Sequence, residues 1–242
     1  MISVQNLYKS FGQVNILAKI NAKFERGKTN LIIGQSGSGK TVLLKCLLGL
    51  HIPDSGKIFF NDVSLTDLKS KERRLLRQDM GIVFQGSALF DSMNVEENII
   101  FPLKMFTSKT DDEMLERVNE VIKRVNLVDS NQKMPSELSG GMQKRVAIAR
   151  AIVMNPKFLF CDEPNSGLDP KTAIIIDNLI QEITKEYGIT TVINTHDMNS
   201  VMEIGENIIF LKDGLKEWEG TKEEIFNSKN TNFDEFVYSS EI

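Results

Sequence analysis

The pattern of hydrophobic and polar positions changes character along the chain. Over residues 3–30, short apolar segments alternate with polar positions and are broken by Gly12 and Gly27, which predicts β-strands joined by turns. The apolar run at residues 31–33 leads into a glycine-rich loop and then into leucines at helical spacing. The sequence therefore predicts a β-rich start, followed by a strand, a loop and a helix.

Strand signals fade between about residues 90 and 135. One stretch in this segment has apolar residues at the spacing of an amphipathic helix, namely Leu115, Val118, Ile122 and Val125. We therefore expect an inserted helical subdomain over approximately residues 90–137.

Alternating units return after this segment. A buried strand is predicted at residues 158–161, a helix from Pro170 and a second strand at residues 190–194. Short crossover helices between such strands produce a parallel sheet. The fold class is therefore predicted to be α/β, with an antiparallel β region at its start.

The end of the predicted core contains a hairpin and a short helix. Asp213-Gly214 is a hairpin turn signal, and Thr221 with Glu224 has the spacing of a capping box. We expect one domain over residues 1–227 and a tail over residues 228–242, in which an apolar cluster follows a polar linker.

The composition is that of a globular protein, with 41% hydrophobic and 26% charged residues. A net charge of −4 gives no overall attraction to nucleic acid, so no nucleic-acid partner is expected. No apolar run approaches the roughly 18 residues of a membrane span, and the first residues do not resemble a signal peptide. We therefore expect a cytosolic protein, in which Cys46 and Cys161 are small buried hydrophobes.

A complete phosphate-binding motif follows the first predicted core strand. It comprises Gly34, Gln35, Ser36, Gly37, Ser38, Gly39, Lys40 and Thr41. Glycines let backbone N–H groups converge on phosphate oxygens, and the following helix adds the positive end of its dipole. Lys40 would reach the β- and γ-phosphates of a nucleotide, and Thr41 would offer its hydroxyl to Mg²⁺. A glycine-rich turn without a ligand is the alternative interpretation.

Two carboxylates end the predicted buried strand at residues 158–161. Because ligands bind at the carboxyl edge of a parallel sheet, Asp162 would hold hydrated Mg²⁺ and Glu163 would polarise the attacking water as a general base. Acids also end strands as helix caps, and a phosphate loop with an acidic strand is common to kinases, helicases and GTPases.

The segment that narrows the choice is Leu138-Ser139-Gly140-Gly141-Met142 with the helix that follows it. It resembles the signature of ABC ATPases, although Ser139 is also an ordinary helix N-cap. The resemblance covers nearly the whole chain. It implies a P-loop NTPase core with an N-terminal antiparallel β region and an inserted helical subdomain, and it implies ATP and Mg²⁺ as cofactors.

Other positions resemble family motifs one by one. Gln85 resembles the loop glutamine that contacts Mg²⁺, and residues 166–169 resemble the D-loop, with Asp169 as a helix N-cap. His196 resembles the switch histidine that contacts the γ-phosphate and orients Glu163. Phe11 resembles the aromatic residue that stacks on adenine, with Tyr8 as the competing candidate. The implied catalytic groups are therefore Glu163, His196, Lys40 and Gln85, and the implied Mg²⁺ ligands are Thr41, Gln85 and Asp162.

The family resemblance also implies a head-to-tail pair of subunits. Ser139, Gly140 and Gly141 would then complete the nucleotide site of a second copy of the chain. The apolar cluster at residues 233–238 needs cover, so we hypothesise that the tail docks on the partner subunit. Docking on its own chain and a disordered tail are the alternatives.

Three stretches resemble the Mla-type lipid-transport ATPases more closely: residues 84–95, residues 134–138 and Met142. This resemblance implies an MlaE-like permease, an MCE-domain partner and a location on the cytoplasmic side of the inner membrane. Asn165 occupies a position, between the acidic pair and the D-loop, at which threonine is common in the family. Leu89, Phe90 and Met93 are predicted to form a groove that binds the permease.

Three alternative functions remain open. They are an importer of polar solutes such as amino acids, a division-type mechanoenzyme and a regulatory subunit that does not hydrolyse ATP. Glu163 and His196 argue against the last of these.

Overall fold

A six-stranded sheet is the centre of the fold in the computed structural model, which describes residues 1–239. The last three residues of the predicted tail lie outside the described residues. In chain order the strands are β1 (Ile2–Phe11), β2 (Val14–Phe24), β3 (Thr29–Ile33), β4 (Ser55–Phe60), β5 (Val63–Ser64), β6 (Met80–Val83), β7 (Phe158–Asp162), β8 (Thr190–Thr195), β9 (Asn207–Lys212) and β10 (Leu215–Gly220).

The strands form two sheets. The central sheet has the order β10-β9-β3-β8-β7-β6, in which β10 is antiparallel to β9 and the other neighbours are parallel. The second sheet, of order β2-β1-β4-β5, is antiparallel. Both the parallel sheet and the antiparallel region at the start of the chain are therefore confirmed.

Helices connect the strands and cover the sheet. They are α1 (Lys40–Leu47), α2 (Ser70–Gln78), α3 (Val95–Phe106), α4 (Asp111–Arg124), α5 (Gly140–Ile152), α6 (Pro170–Tyr187), α7 (Met198–Ile204) and α8 (Thr231–Ser239), with 3₁₀ turns at Pro135–Glu137 and Lys222–Asn227. Among residues 1–239, no helix has the combined length and apolar character that crossing a bilayer requires.

The central strands are buried on both faces. In β3, Leu31 and Ile33 belong to one apolar cluster with the helices, whereas Ile32 belongs to a second cluster with the antiparallel sheet and α1. Alternate side chains of a strand point to opposite faces, so a strand covered on both sides needs apolar residues at every position. The continuous apolar run at residues 31–33 follows from this double cover.

The helical segment predicted after residue 90 is present as α3 and α4. Each begins with a capping box, because Asn94 pairs with Glu97 and Thr110 pairs with Glu113. Val118 and other apolar residues of α4 face the core. Helix α5 begins beyond the predicted boundary at residue 137 and packs against α3 and α4 as well as β6. Helix α5 therefore packs the helical region against the central sheet.

The tail docks on its own chain. Phe233 is fully buried, its ring stacks on Trp218 with centroids 4.2 Å apart, and it also contacts Phe210. Phe236 and Val237 are buried on the same helix, α8. Strands β9 and β10 of the same chain therefore supply cover for the apolar cluster in the described part of the tail, as in the alternative of docking on its own chain. Docking on a partner subunit stays a prediction.

This packing predicts the effect of truncating one side chain of α8. Phe233→Ala should lower the free energy of unfolding by about 3–5 kcal/mol, since it leaves a cavity against Trp218 and Phe210. Tyr238→Ala is the matched control, because Tyr238 lies on the same helix and is 81% exposed. Its effect should stay within about 0.5 kcal/mol in urea unfolding. Equal losses for the two variants would contradict the docking of α8.

Candidate nucleotide site

The phosphate-binding loop has positive φ at Gly34, Gly37 and Gly39, and at two of these positions a side chain would also collide with a neighbour. Gly34 has φ +147°, and a Cβ atom there would lie 2.2 Å from the carbonyl oxygen of Leu211. Gly39 has φ +104°, and its Cβ atom would lie 2.8 Å from Leu17. The loop is thus held close to β9 and β2, with its backbone open toward the solvent at Gly37, where nothing lies within 4 Å of a built Cβ.

Lys40 is folded back over the phosphate-binding loop. Its Nζ donates hydrogen bonds to the carbonyl oxygens of Gly34 at 2.7 Å and Gln35 at 2.9 Å. Burial lowers the pKa of Lys40, while the charges of Glu163 and Asp162 oppose that shift. The ammonium group is therefore a desolvated cation beside two carboxylates, a position suited to the oxygens of a polyphosphate.

Two of the residues predicted to hold Mg²⁺ lie at or after the ends of strands at the carboxyl edge of the sheet. Asp162 is the last residue of β7, and its Oδ1 accepts a hydrogen bond from the Asn194 amide at 3.1 Å. Thr41 lies in the first turn of α1 and is exposed. A carboxylate and a hydroxyl are oxygen donors that Mg²⁺ prefers, and Mg²⁺ keeps several waters when it binds few protein ligands. The donor set of this edge fits the cation.

Glu163 lies at the centre of the site in a strained backbone conformation. Its φ is +46°, in the left-handed region, and its N–H donates to the carbonyl oxygen of Asn194 at 3.0 Å. Its Oε1 lies 3.0 Å from His196 Nδ1, and its Oε2 accepts from Gln85 Nε2 at 3.1 Å. A conformation of this kind costs on the order of 1–3 kcal/mol and persists only when its surroundings hold it.

Three residues predicted from separate motifs are thus brought together: Gln85, Glu163 and His196. Gln85 Nε2 also donates to Ser166 Oγ at 3.1 Å, in the predicted D-loop. Its nitrogen is therefore directed to Glu163 and Ser166, and its oxygen is the atom that a cation would use. The pairing of His196 with Glu163 agrees with the predicted orienting role of the histidine, which stays a prediction.

The loop that carries Gln85 is fixed by two residues that the sequence analysis missed. Lys144 is buried in α5 and donates to the carbonyl oxygen of Gln85, and burial lowers its pKa. Arg150, two turns further along α5, donates to the carbonyl oxygens of Ser87 at 2.8 Å and Ala88 at 2.9 Å. No local pattern could indicate these roles, because the partners lie in a loop about 60 residues away in the sequence.

The signature segment begins α5, as predicted. The Ser139 hydroxyl accepts a hydrogen bond from Met142 N at 3.3 Å and caps the helix. A Cβ atom on Gly141 would lie 2.7 Å from Thr172, and one on Gly140 would lie 3.4 Å from Leu168. The signature therefore lies beside the D-loop and the start of α6, where Asp169 caps the helix by accepting from Thr172 N at 3.1 Å.

A cavity of about 440 Å³ adjoins Lys40, Glu163 and His196. Its remaining lining residues are Gln35, Ser36, Phe236 and Ser239. The last two belong to α8, so the tail helix forms one wall beside the phosphate-binding loop. The sequence does not indicate that the tail lies at the site, because only the folding of β9 and β10 brings α8 to this edge. Ser139, Gly140 and Gly141 are not among the lining residues.

The two candidates for adenine stacking both lie on β1. Phe11 is 46% exposed and contacts the ring of His51 edge-on with centroids 5.2 Å apart, and Tyr8 is 39% exposed. Each therefore presents ring surface to solvent, and the assignment of Phe11 stays a prediction. His51 therefore supports one side of the Phe11 ring.

The site predicts the result of removing the charge of Glu163 while keeping its shape. Glu163→Gln should retain ATP binding and lose roughly two or more orders of magnitude in turnover, the scale of a lost general base. ATP hydrolysis and binding of a fluorescent ATP analogue would be measured on the same preparation. Glu116→Gln, on the exposed side of α4, is the control and should hydrolyse ATP at the rate of the unmodified protein. Normal turnover by Glu163→Gln would remove Glu163 from this role.

Comparison with known proteins agrees with this geometry. Residues 17–166 match the family described as ABC transporter. The methionine import ATP-binding protein MetN of Campylobacter jejuni is 37% identical, over 100% of this chain and 77% of that protein. MetN of Clostridium tetani is 44% identical, over 89% of this chain and 67% of that protein.

Solved structures give the same result. The protein cbiO1 from Clostridium perfringens, part of the ABC transporter complex cbiONQ, superposes with a TM-score of 0.87 at 35% identity, covering 94% of this chain and 91% of that one. A dimeric ATP-binding cassette in a post-hydrolysis state, bound to ADP and Pi, superposes with a TM-score of 0.83 at 34% identity, covering 92% and 99%. The chain therefore belongs to the ABC transporter family and is an ATP-binding ATPase domain of that family.

Proposed function

We propose that this chain is the ATP-hydrolysing subunit of a membrane transporter that imports an amino acid of the methionine class. The meeting of Glu163, His196 and Gln85 beside Lys40 is the observation that carries the hydrolytic part of the proposal. The relatives named above, which are methionine import proteins, support the substrate class. We place the subunit at the cytoplasmic face of the membrane, where ATP is available.

Each residue of the site has a definite task in this proposal. The N–H groups of the loop and Lys40 hold the β- and γ-phosphates, and Glu163 accepts a proton from the attacking water. His196 holds the Glu163 carboxylate through Oε1 and Gln85 holds it through Oε2, so the base is fixed from both sides. Asp162, Thr41 and Gln85 would hold Mg²⁺, which would supply positive charge to the phosphates.

The proposal includes a second copy of the chain. The γ-phosphate side of the cavity is lined by Lys40, Glu163 and His196, whereas the helix N-terminus at Ser139 lies beside Leu168 and Thr172. A helix N-terminus is an anion site, so Ser139, Gly140 and Gly141 suit the phosphate of another subunit. A related cassette is described as dimeric, which supports this arrangement.

An apolar groove of about 480 Å³ lies on the side of the Gln85 loop and is the proposed contact for the permease. Its apolar lining includes Phe84, Phe90, Phe101 and Phe106, and Arg74, Arg77 and Arg150 also line it. Three residues were predicted to line this groove, and Phe90 does so. Leu89 and Met93 are not among the lining residues, and Leu89 is partly buried against the core. A helix of the permease would contact the loop that positions Gln85.

Lipid transport is the second candidate, and it rests on the resemblance of residues 84–95, residues 134–138 and Met142 to Mla-type ATPases. The named relatives give no support to an MlaE-like permease or an MCE-domain partner, and they favour the amino acid importer that was the alternative. A division-type mechanoenzyme receives no support from them either.

The two candidates differ in what ATP hydrolysis moves. The subunit would be purified with the permease encoded beside it and reconstituted into proteoliposomes with its extracytoplasmic partner. We expect ATP-dependent uptake of labelled methionine and no transfer of labelled phospholipid, and no transport with Glu163→Gln. Phospholipid transfer without methionine uptake would favour the lipid candidate and overturn the importer.

A charge in the groove should separate hydrolysis from transport. Phe90→Glu places a carboxylate among aromatic rings, since Phe90 lies 4.9 Å from Phe101 between ring centroids. We expect transport and permease-stimulated hydrolysis to fall by about tenfold or more, the effect of a lost interface anchor of about 1.4 kcal/mol or more. Phe226→Glu, at a position that is 60% exposed and outside the groove lining, is the control. Unchanged transport by Phe90→Glu would exclude this groove.

A further inference from the structure

A polar cluster, buried except for the half-buried Asp197, connects the loops that carry Glu163 and His196. Its members are Asn165, Asp177, Asp197 and Ser200. Asn165 follows Glu163 by two residues, Asp177 belongs to α6, and Asp197 follows His196 and caps α7, on which Ser200 lies. Asn165 is 8% exposed, Ser200 3% and Asp177 1%. None of the predicted catalytic residues belongs to this cluster.

The Asn165 amide joins three elements. Its Nδ2 donates to Ser200 Oγ at 2.6 Å, to Asp177 Oδ2 at 3.2 Å and to Asp197 Oδ2 at 3.3 Å. Ser200 Oγ in turn lies 3.3 Å from Asp197 Oδ2. Two amide hydrogens are therefore shared among three oxygens, and a donor is required here because two of the acceptors are carboxylates.

Asp197 transmits this contact to the histidine loop. Its Oδ1 accepts from Asn199 N at 2.9 Å and caps α7, and its own N–H donates to Thr195 Oγ1 at 3.0 Å. The residue between Thr195 and Asp197 is His196, so its backbone is held on both sides. On the other loop, Leu168 N donates to the carbonyl oxygen of Asn165 at 3.2 Å.

Glu163 needs such support because its backbone is in the left-handed region. The Glu163–His196 contact of 3.0 Å joins two side chains from different loops, and its length depends on how far apart those loops lie. We propose that Asn165 is a positioning residue for ATP hydrolysis, which sets the distance between Glu163 and His196 through Asp197 and Ser200. This inference rests on the catalytic roles proposed for Glu163 and His196.

The test removes the amide donor and asks whether the loss acts through His196. Asn165→Leu should lower kcat between about tenfold and 100-fold, the scale of a misplaced catalytic group, with little change in the KM for ATP. In a His196→Ala background the same substitution should lower kcat by less than about twofold, since the contact that it positions is already absent. Equal losses in both backgrounds would overturn the proposal.

A spectroscopic measurement gives an independent readout. The chain has two histidines, so ¹⁵N labelling of the imidazoles gives few signals, and His51→Gln assigns them. In Asn165→Leu the Nδ1 signal of His196 should move toward its position in Glu163→Ala, where the contact is missing. An Nδ1 signal at its original position would show that Asn165 does not act through this pair.

Controls separate positioning from stability. Thr184→Val removes a buried hydroxyl of α6 that lies 2.6 Å from Thr191 Oγ1, outside the cluster. It should lower the midpoint of thermal unfolding and leave kcat unchanged. If Asn165→Leu does not fold, Ser200→Ala takes its place, because it removes one partner of the amide and leaves the packing nearly intact. If His196→Ala hydrolyses ATP normally, the catalytic role proposed for His196 is wrong. If His196→Ala is impaired and Asn165→Leu has a normal kcat, only the positioning role of Asn165 is wrong.

Discussion

The parallel pairing of β3, β8 and β7 is the constraint on which the site depends. Ile33 is paired with Thr195, and Asp162 is paired with Asn194. These pairs align the ends of three strands, so the phosphate-binding loop, the acidic pair and the histidine loop all leave the sheet at one level. Residues separated by more than 120 positions in the sequence are adjacent for this reason, and a shift of register by one residue would turn Asp162 to the opposite face.

The same alignment explains how much of the arrangement around the phosphate-binding loop could be predicted from the sequence. The motif at residues 34–41 needs a strand before it and a helix after it, and both were visible as local patterns. Glu163 and His196 could be placed because each follows a buried strand. Lys144, Arg150 and Asn165 could not, because their contacts join elements that have no local relation in the sequence. The resemblance to a family supplied what spacing alone left open among the NTPases.

The docking of α8 shows where local reasoning stops. An apolar cluster beyond a polar linker must be covered in the folded protein, but the sequence does not indicate which surface covers it. Strands β9 and β10 provide it through Phe210 and Trp218, whose rings face Phe233. The substrate could not be predicted from the stretches around the Gln85 loop for a related reason, because those stretches resemble other family members without contacting a transported molecule.

The buried carboxyl of Asp177 has a thermodynamic consequence for the whole domain. Burial, together with the nearby charge of Asp197, raises its pKa to about 6, and Asn165 and Ser200 only partly offset this by hydrogen bonding. The folded chain thus binds a proton at pH 5 that the unfolded chain has released, so folding takes up that proton. The contribution of Asp177 to stability is full below the pKa of the unfolded chain and is lost as the pH rises through 6. At neutral pH the Asp177 carboxyl is ionised in the interior of the domain. The polar cluster between the loops of Glu163 and His196 therefore lowers the stability of the fold at the pH where it is charged.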